Sequence, residues 1–203
     1  MSKPSRRMAL VVSGLLTGGV ALAQAPDDGG ERGWQPVLGA GLTVGGDAIH
    51  KFPMSDGSTK TLSGGGLVHL YGGLRRQFGL WAVQGSFGYQ VDDVVAQNGS
   101  ARFERFPLEA LAQYQVSDVI SVGAGLRHVS GARLSSSGEA TALMGLPSSA
   151  TSLSVATSPF LEGDYALSAK AHFSVKLVSE TYKDPWGGSF KGDHIGFYIK
   201  GIL

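Results

Sequence analysis

The feature that most constrains this chain is a two-residue alternation of apolar and polar side chains that recurs in eight segments between Trp34 and Leu203. Strict alternation describes a strand with two different faces. The last ten residues, HIGFYIKGIL, show it plainly. Ile195, Phe197, Ile199 and Leu203 share one parity with Gly201, while His194, Tyr198 and Lys200 take the other. In the third segment Trp81, Val83, Phe87, Tyr89 and Val91 stand opposite Ala82, Gln84, Ser86, Gln90 and Asp92. The same pattern runs from about Trp34 to Gly45, from Gly65 to Arg75, through Arg105–Tyr114 and Ile120–His128, from Leu153 to Tyr165, and around Phe173–Leu177.

The connections carry the second constraint. Those after the second, fourth and sixth segments are short: RQFG, QVSD and LSAK. Those after the first, third, fifth and seventh are longer and polar, and are expected as loops at about Asp47–Ser63, Asp92–Ser100, Gly131–Thr151 and Lys183–Asp193. Tight turns on one side and long loops on the other are the signature of a transmembrane β-barrel. Trp34, Trp81, Tyr114, Tyr165 and Phe173 fall on the apolar parity at the strand ends nearest the short turns, the position of an interfacial aromatic girdle. Open strand edges are not tolerated in hydrocarbon, so the eighth strand must pair with the first. The expected fold is all-β, an eight-stranded antiparallel up-and-down transmembrane β-barrel over residues 34–203.

The chain opens with Lys3, Arg6 and Arg7, then an apolar run from Met8 to Val20 and Ala21-Leu22-Ala23 before Gln24. Residues 1–23 read as a cleaved secretory signal peptide, and 24–33 as a flexible lead-in. The sequence has no cysteine, so an exported chain of this kind draws its stability from a closed hydrogen-bonded sheet rather than from disulfides. The net charge is +1 and no basic block is present, which gives a nucleic-acid partner no support. The histidines show no ligand spacing, so no metal or other cofactor is expected.

With these features the sequence resembles the small outer-membrane β-barrel proteins of Gram-negative bacteria, the OmpA/OmpW-like group. The stretches RFERFPLEALAQYQVSD, VGAGLRHVSGARL and FLEGDY are similar to members identified simply as outer-membrane β-barrel proteins. The resemblance implies the cell outer membrane as location, outer-membrane lipid and lipopolysaccharide as surroundings, and recognition of the C-terminal strand by the barrel-assembly machinery. The strand ends on Leu203 where the family usually has Phe or Trp. A monomer is expected.

On this reading the lumen receives Arg75, Arg105, Glu109, Arg127, Glu162, Lys176, Glu180 and Lys200, with His69 and His194. Turn centres near Asp118 and Ala169 put Glu109 opposite Arg127 and Glu162 opposite Lys176. Such charges either line a solute path or lock a closed interior, and the narrowness of eight strands favours the lock. The expected role is structural or surface-interacting, with recognition in the exterior loops and no catalysis. A narrow channel for small or hydrophobic solutes is the alternative. An outsider is a lipid A deacylase-like hydrolase, because His128, Ser130 and Glu139 resemble the His-x-Ser plus Glu arrangement of those eight-stranded enzymes. A soluble lipocalin-like barrel would invert the faces.

Overall fold

The structure is a computed structural model that describes residues 33–53, 57–96, 99–138 and 150–203; the expected signal peptide, most of the lead-in and Glu139 lie outside the described residues. The strands are β1 (Gln35–Gly45), β2 (Ala48–Pro53), β3 (Thr59–Ser63), β4 (Val68–Phe78), β5 (Trp81–Ala96), β6 (Gly99–Gln115), β7 (Ile120–Gly138), β8 (Thr151–Ser152), β9 (Ser154–Val155), β10 (Ser158–Ala166), β11 (Ala171–Val178), β12 (Thr181–Lys183), β13 (Ser189–Lys191) and β14 (His194–Ile202). Among the described residues there is no helix.

Eight of these strands close a barrel. Going round, β1, β4, β5, β6, β7, β10, β11 and β14 pair as antiparallel neighbours, and β14 returns to β1 from Val37↔Ile202 to Gly45↔His194. Closure removes every edge in the zone where no water can satisfy one. On the outer surface Leu38, Leu42, Leu70, Phe87, Leu108 and Leu126 are each half exposed or more. So continuous an apolar surface does not suit a monomer in water, and it does suit lipid. The short turns fall between β4 and β5, β6 and β7, and β10 and β11, and Ser117 and Ser168 brace the last two by accepting backbone N–H bonds from Ile120 and Ala171.

Above the apolar belt the strands continue. The described residues of the expected loops at Asp92–Ser100 and Gly131–Thr151 are largely strand: β5 runs to Ala96, β6 begins at Gly99, and β7 continues to Gly138. Two features hid this. The faces exchange character, since Val94, Ala101 and Phe103 point inward while Asp93 and Arg102 point outward. In addition the register between β6 and β7 shifts at Glu104/Phe106, where Gly131 sits at φ 59° and adds a residue to β7. A glycine in the left-handed region is what a bulge of this type requires, and it flips the parity of everything beyond it.

The segment expected as one strand from Leu153 to Tyr165 is likewise divided into β9 and β10. The pairing β9–β12 prolongs β10–β11 with a one-residue slip: from Phe160↔Val178 to Val155↔Tyr182 is five residues back on one strand and four forward on the other. The pairing β12–β13 prolongs β11–β14 without a slip, three residues on each strand from Val178↔His194 to Thr181↔Lys191. The β2–β3 hairpin departs from this upright course. Gly46 and Gly66, at φ 76° and 71°, break the β1–β4 ladder and turn the hairpin across the barrel mouth. There Phe52 and Leu62 join Val94, Phe103, Leu134 and Tyr182 in a small apolar core.

Candidate functional site: the filled lumen and its cap

Besides Arg75, the inward parity inside the barrel delivers four buried cations, Arg105, Arg127, Lys176 and Lys200, and four carboxylates, Glu109, Glu162, Asp164 and Glu180. The charges form one connected series. Arg127 is its hub: it donates through one terminal nitrogen to Glu109 Oε1 at 2.7 Å, through Nε to Glu180, and through the other terminal nitrogen to Gln90 Oε1. Glu109 Oε2 then accepts from Lys176 Nζ at 2.5 Å, and Lys176 lies 3.5 Å from Glu162. Toward the short-turn end Lys200 Nζ bridges Glu162 at 3.2 Å and Asp164 at 3.0 Å. Asp164 also faces His172 Nδ1 at 2.9 Å and accepts from Ser174 Oγ at 2.5 Å. Buried charges are tolerated where each is paired and its remaining hydrogen-bonding capacity used.

Neighbouring strands explain how the partners meet. Glu109 stands directly opposite Arg127 across β6–β7, and Glu162 opposite Lys176 across β10–β11. The Lys176–Glu109 and Lys200–Glu162 contacts instead cross the lumen between strands that are not neighbours, so they tie the wall to itself through the centre. Three rings close around the Lys176 ammonium: Phe160 at 4.8 Å, Tyr198 at 5.1 Å and Tyr71 at 5.3 Å from Nζ to ring centre. The Tyr198 ring lies over Gly41, where any Cβ would collide with it. His69 Nδ1 meets the Tyr198 hydroxyl at 3.0 Å, and His194 Nδ1 donates to Gly192 O at 2.7 Å. Arg75 sits nearer the short turns, donating to Gln77 at 3.1 Å.

At the upper end the network grips the cap. Arg105 donates to Tyr182 Oη at 2.6 Å and to the carbonyl of Gly64, where the hairpin neck crosses the mouth. Tyr182 Oη in turn donates to Glu180 Oε2 at 2.6 Å. The Arg105 guanidinium lies over the Phe103 and Tyr182 rings, 4.6 and 5.4 Å from their centres, and the two rings meet edge to face. Burial pushes the Tyr182 phenol up from its ordinary range.

The described side chains leave little room between them. Arg105, Arg127 and Lys200 are 0% exposed, Lys176 and Glu180 1%, Glu162 3% and Glu109 4%. A solute path would leave its lining side chains in touch with water; here the lining side chains touch one another.

The five girdle aromatics lie on the outer surface, each more than a third exposed. Trp81 and Tyr114 meet across β5–β6 with ring centres 5.0 Å apart, and Tyr165 faces Phe173 across β10–β11. His128 and Ser130 also face outward, but not each other. The Ser130 hydroxyl donates to Phe106 O at 3.1 Å, and His128 Nδ1 meets Thr157 Oγ1 at 3.3 Å. Sequence reasoning missed Phe103 and Tyr182 as partners of Arg105, because both belong to the zone where the faces invert. Asp164, Tyr71 and Tyr198 were on the inward parity, yet nothing in the spacing of the sequence marks which of them meets an ammonium.

No protein family matches this sequence, and no curated protein matches it either. Among solved structures the chain is similar to Ail, the attachment invasion locus protein of Yersinia pestis, in complex with the heparin analogue sucrose octasulfate. That alignment has 11% identity and a TM-score of 0.46, over 83% of this chain and 96% of that one. It is also similar to Neisserial surface protein A, with 12% identity and a TM-score of 0.39 over 85% and 97%. A third similarity is to the outer-membrane channel DcaP of Acinetobacter baumannii, with 10% identity and a TM-score of 0.24 over 90% and 100%.

Proposed function

We propose that the protein, with its closed eight-stranded sheet and apolar outer belt, is an integral outer-membrane barrel that does not conduct, with a structural or surface-interaction role carried by its exterior end. The observation that carries this reading is the filled lumen: four cations and four carboxylates, all nearly or fully buried, linked across the interior beneath an apolar cap. Recognition usually sits on segments held out by a rigid scaffold. Among the described residues those are the β2–β3 hairpin and the β12–β13 turn, where Trp186 is 70% exposed on a turn fixed by Asp184.

Export with removal of residues 1–23, insertion through the barrel-assembly machinery by way of the C-terminal strand, a monomeric state, and contact with outer-membrane lipid and lipopolysaccharide belong to the same reading. No catalytic step is assigned. The orientation of Ser130 toward a backbone carbonyl, rather than toward His128, favours no hydrolase.

Single-channel recording of the purified protein in planar bilayers tests the reading. The expected result is a flat current trace from a preparation whose gel migration shifts on heating. Discrete conductance steps from the same preparation would replace it with the narrow-channel alternative, and a Ser130-dependent loss of acyl mass from lipid A would replace it with the hydrolase.

A further inference from the structure

The β2–β3 hairpin crosses the upper mouth of the barrel, and the lower mouth, at the short turns, has a lining of its own. Gln35 and Gln84 stand either side of Arg75 across β1–β4 and β4–β5. Gln77, Gln113 and Gln115 share the inward parity nearer the turns. Gln77 Nε2 donates to Gln115 Oε1 at 3.2 Å, and Arg75 donates to Gln77 Oε1 at 3.1 Å. Two of these glutamines are buried with an acceptor unused. The amide oxygens of Gln84 and Gln113, residues 5% and 2% exposed, have no hydrogen-bond partner among the described residues, and neither has that of Gln35. Buried acceptors of this kind call for a donor.

Charge at this end is uneven. Among the described side chains Arg75, Arg76 and Lys170 are cationic there, against the turn carboxylate of Asp118, since Asp164 is taken by Lys200 and His172. Lys170 is exposed on the β10–β11 turn and forms no ion pair among the described residues. The chain itself supplies what would fit. β1 starts at this rim with Gln35, so Glu31 is at most about 14 Å of extended chain away. The interior of eight strands is only wide enough for side chains, and that reach spans it. Residues 24–33 read QAPDDGGERG: three carboxylates, Asp27, Asp28 and Glu31, against one cation, Arg32, with two glycines at the centre.

We propose that residues 24–33 fold back across the lower mouth of the lumen and close it from below. Their carboxylates face Arg75 and Lys170, and the glycine N–H groups donate to the open amide oxygens of Gln84 and Gln113. The lumen is then shut at both ends by segments of its own chain. The docking rests on the closed barrel and on retention of residues 24–33 after export, and is independent of what the exterior end recognises.

The chain has no cysteine, so Gly30→Cys places a single thiol in the segment and Asp118→Cys a single exposed thiol on the β6–β7 turn. Maleimide modification of the two exported proteins, purified in detergent, tests the docking. At low salt the Gly30→Cys thiol is expected to react about tenfold more slowly than the Asp118→Cys thiol, the effect of one charge-assisted contact. Adding Asp27→Asn, Asp28→Asn and Glu31→Gln together should abolish the difference, and so should salt at about 1 M. These three positions precede the first barrel strand, so heat-modifiable gel migration should match the parent and separate lost docking from lost fold. Arg75→Gln should raise the Gly30→Cys rate in the same way. Equal reactivity of the two thiols at low salt overturns the proposal. A Gly30→Cys thiol that stays slow after the acids are neutralised overturns it too. Either result leaves the non-conducting barrel standing, because the current trace decides that reading separately.

Discussion

The interior of this barrel has two regions of opposite character on one continuous set of strands. Below, in the belt, Arg127, Lys176, Lys200 and four carboxylates are buried while Leu108 and Phe87 are exposed. A few residues higher on the same strands Phe103, Val94 and Leu134 are buried, while Asp93 and Arg102 are exposed. Backbone pairing does not distinguish the regions, since β5, β6 and β7 are antiparallel throughout. The medium outside does. Where the outer face meets lipid it must be apolar and the polar groups go inward; where it meets water the usual order returns. The lower region is consequently held by paired charges and the upper by apolar contact, and Arg105 joins them by reaching from the charge network to the rings of Phe103 and Tyr182.

The largest effect should come from the hub of the lower region. Arg127→Met leaves Glu109 and Glu180 buried without their principal partner and is expected to cost about 3–5 kcal/mol. The readout is the denaturant or temperature midpoint of heat-modifiable gel migration in detergent. Replacing Glu109 by Gln and Lys176 by Met together should cost less than either change alone, because the pair leaves no orphaned charge behind. If Arg127→Met were no worse than an outward Leu substitution, the claim that paired charge holds the lower region would fail.

The upper region should respond locally. Leu62→Ala removes a fully buried side chain from the cap core and is expected to cost about 2–4 kcal/mol, confined to the cap. Hydrogen exchange should rise over β2, β3 and β12 with the protection of β6 and β7 below Phe106 unchanged. Loss of protection around the whole barrel would show that the two regions unfold as one unit.

The uneven legibility of the sequence follows from this inversion. In the belt one face is uniformly apolar, so alternation located β1, β4, β5, β11 and β14 to within a few residues, and the short turns fixed the pairings Glu109↔Arg127 and Glu162↔Lys176. Above the belt the same alternation carries the opposite assignment. With Gly131 flipping the parity as well, the strand extensions read as polar loops. The folding of β2–β3 across the mouth depends on glycine torsions at positions 46 and 66, which a spacing pattern does not encode. Contacts across the lumen, such as Lys176 with Tyr71 and with Glu109, join strands that are not neighbours, and local register says nothing about them.

The smallest effect should come from the outer face of the upper region, where charge meets water. Arg102 and Asp93 form an ion pair of 2.8 Å across β5–β6, but their side chains are 50% and 33% exposed. Such a pair gains little Coulomb energy in a high dielectric and spends part of it ordering two mobile side chains. Asp93→Asn should therefore shift the unfolding midpoint by no more than about 0.5 kcal/mol, and the shift should shrink as salt is added. The contrast with Arg127→Met isolates the variable that matters. Both changes break an arginine–carboxylate bond of similar length, 2.8 Å outside and 2.7 Å within. A several-fold larger cost inside would assign the difference to burial, whereas equal costs would mean that the lumen is wetter than its side-chain packing indicates.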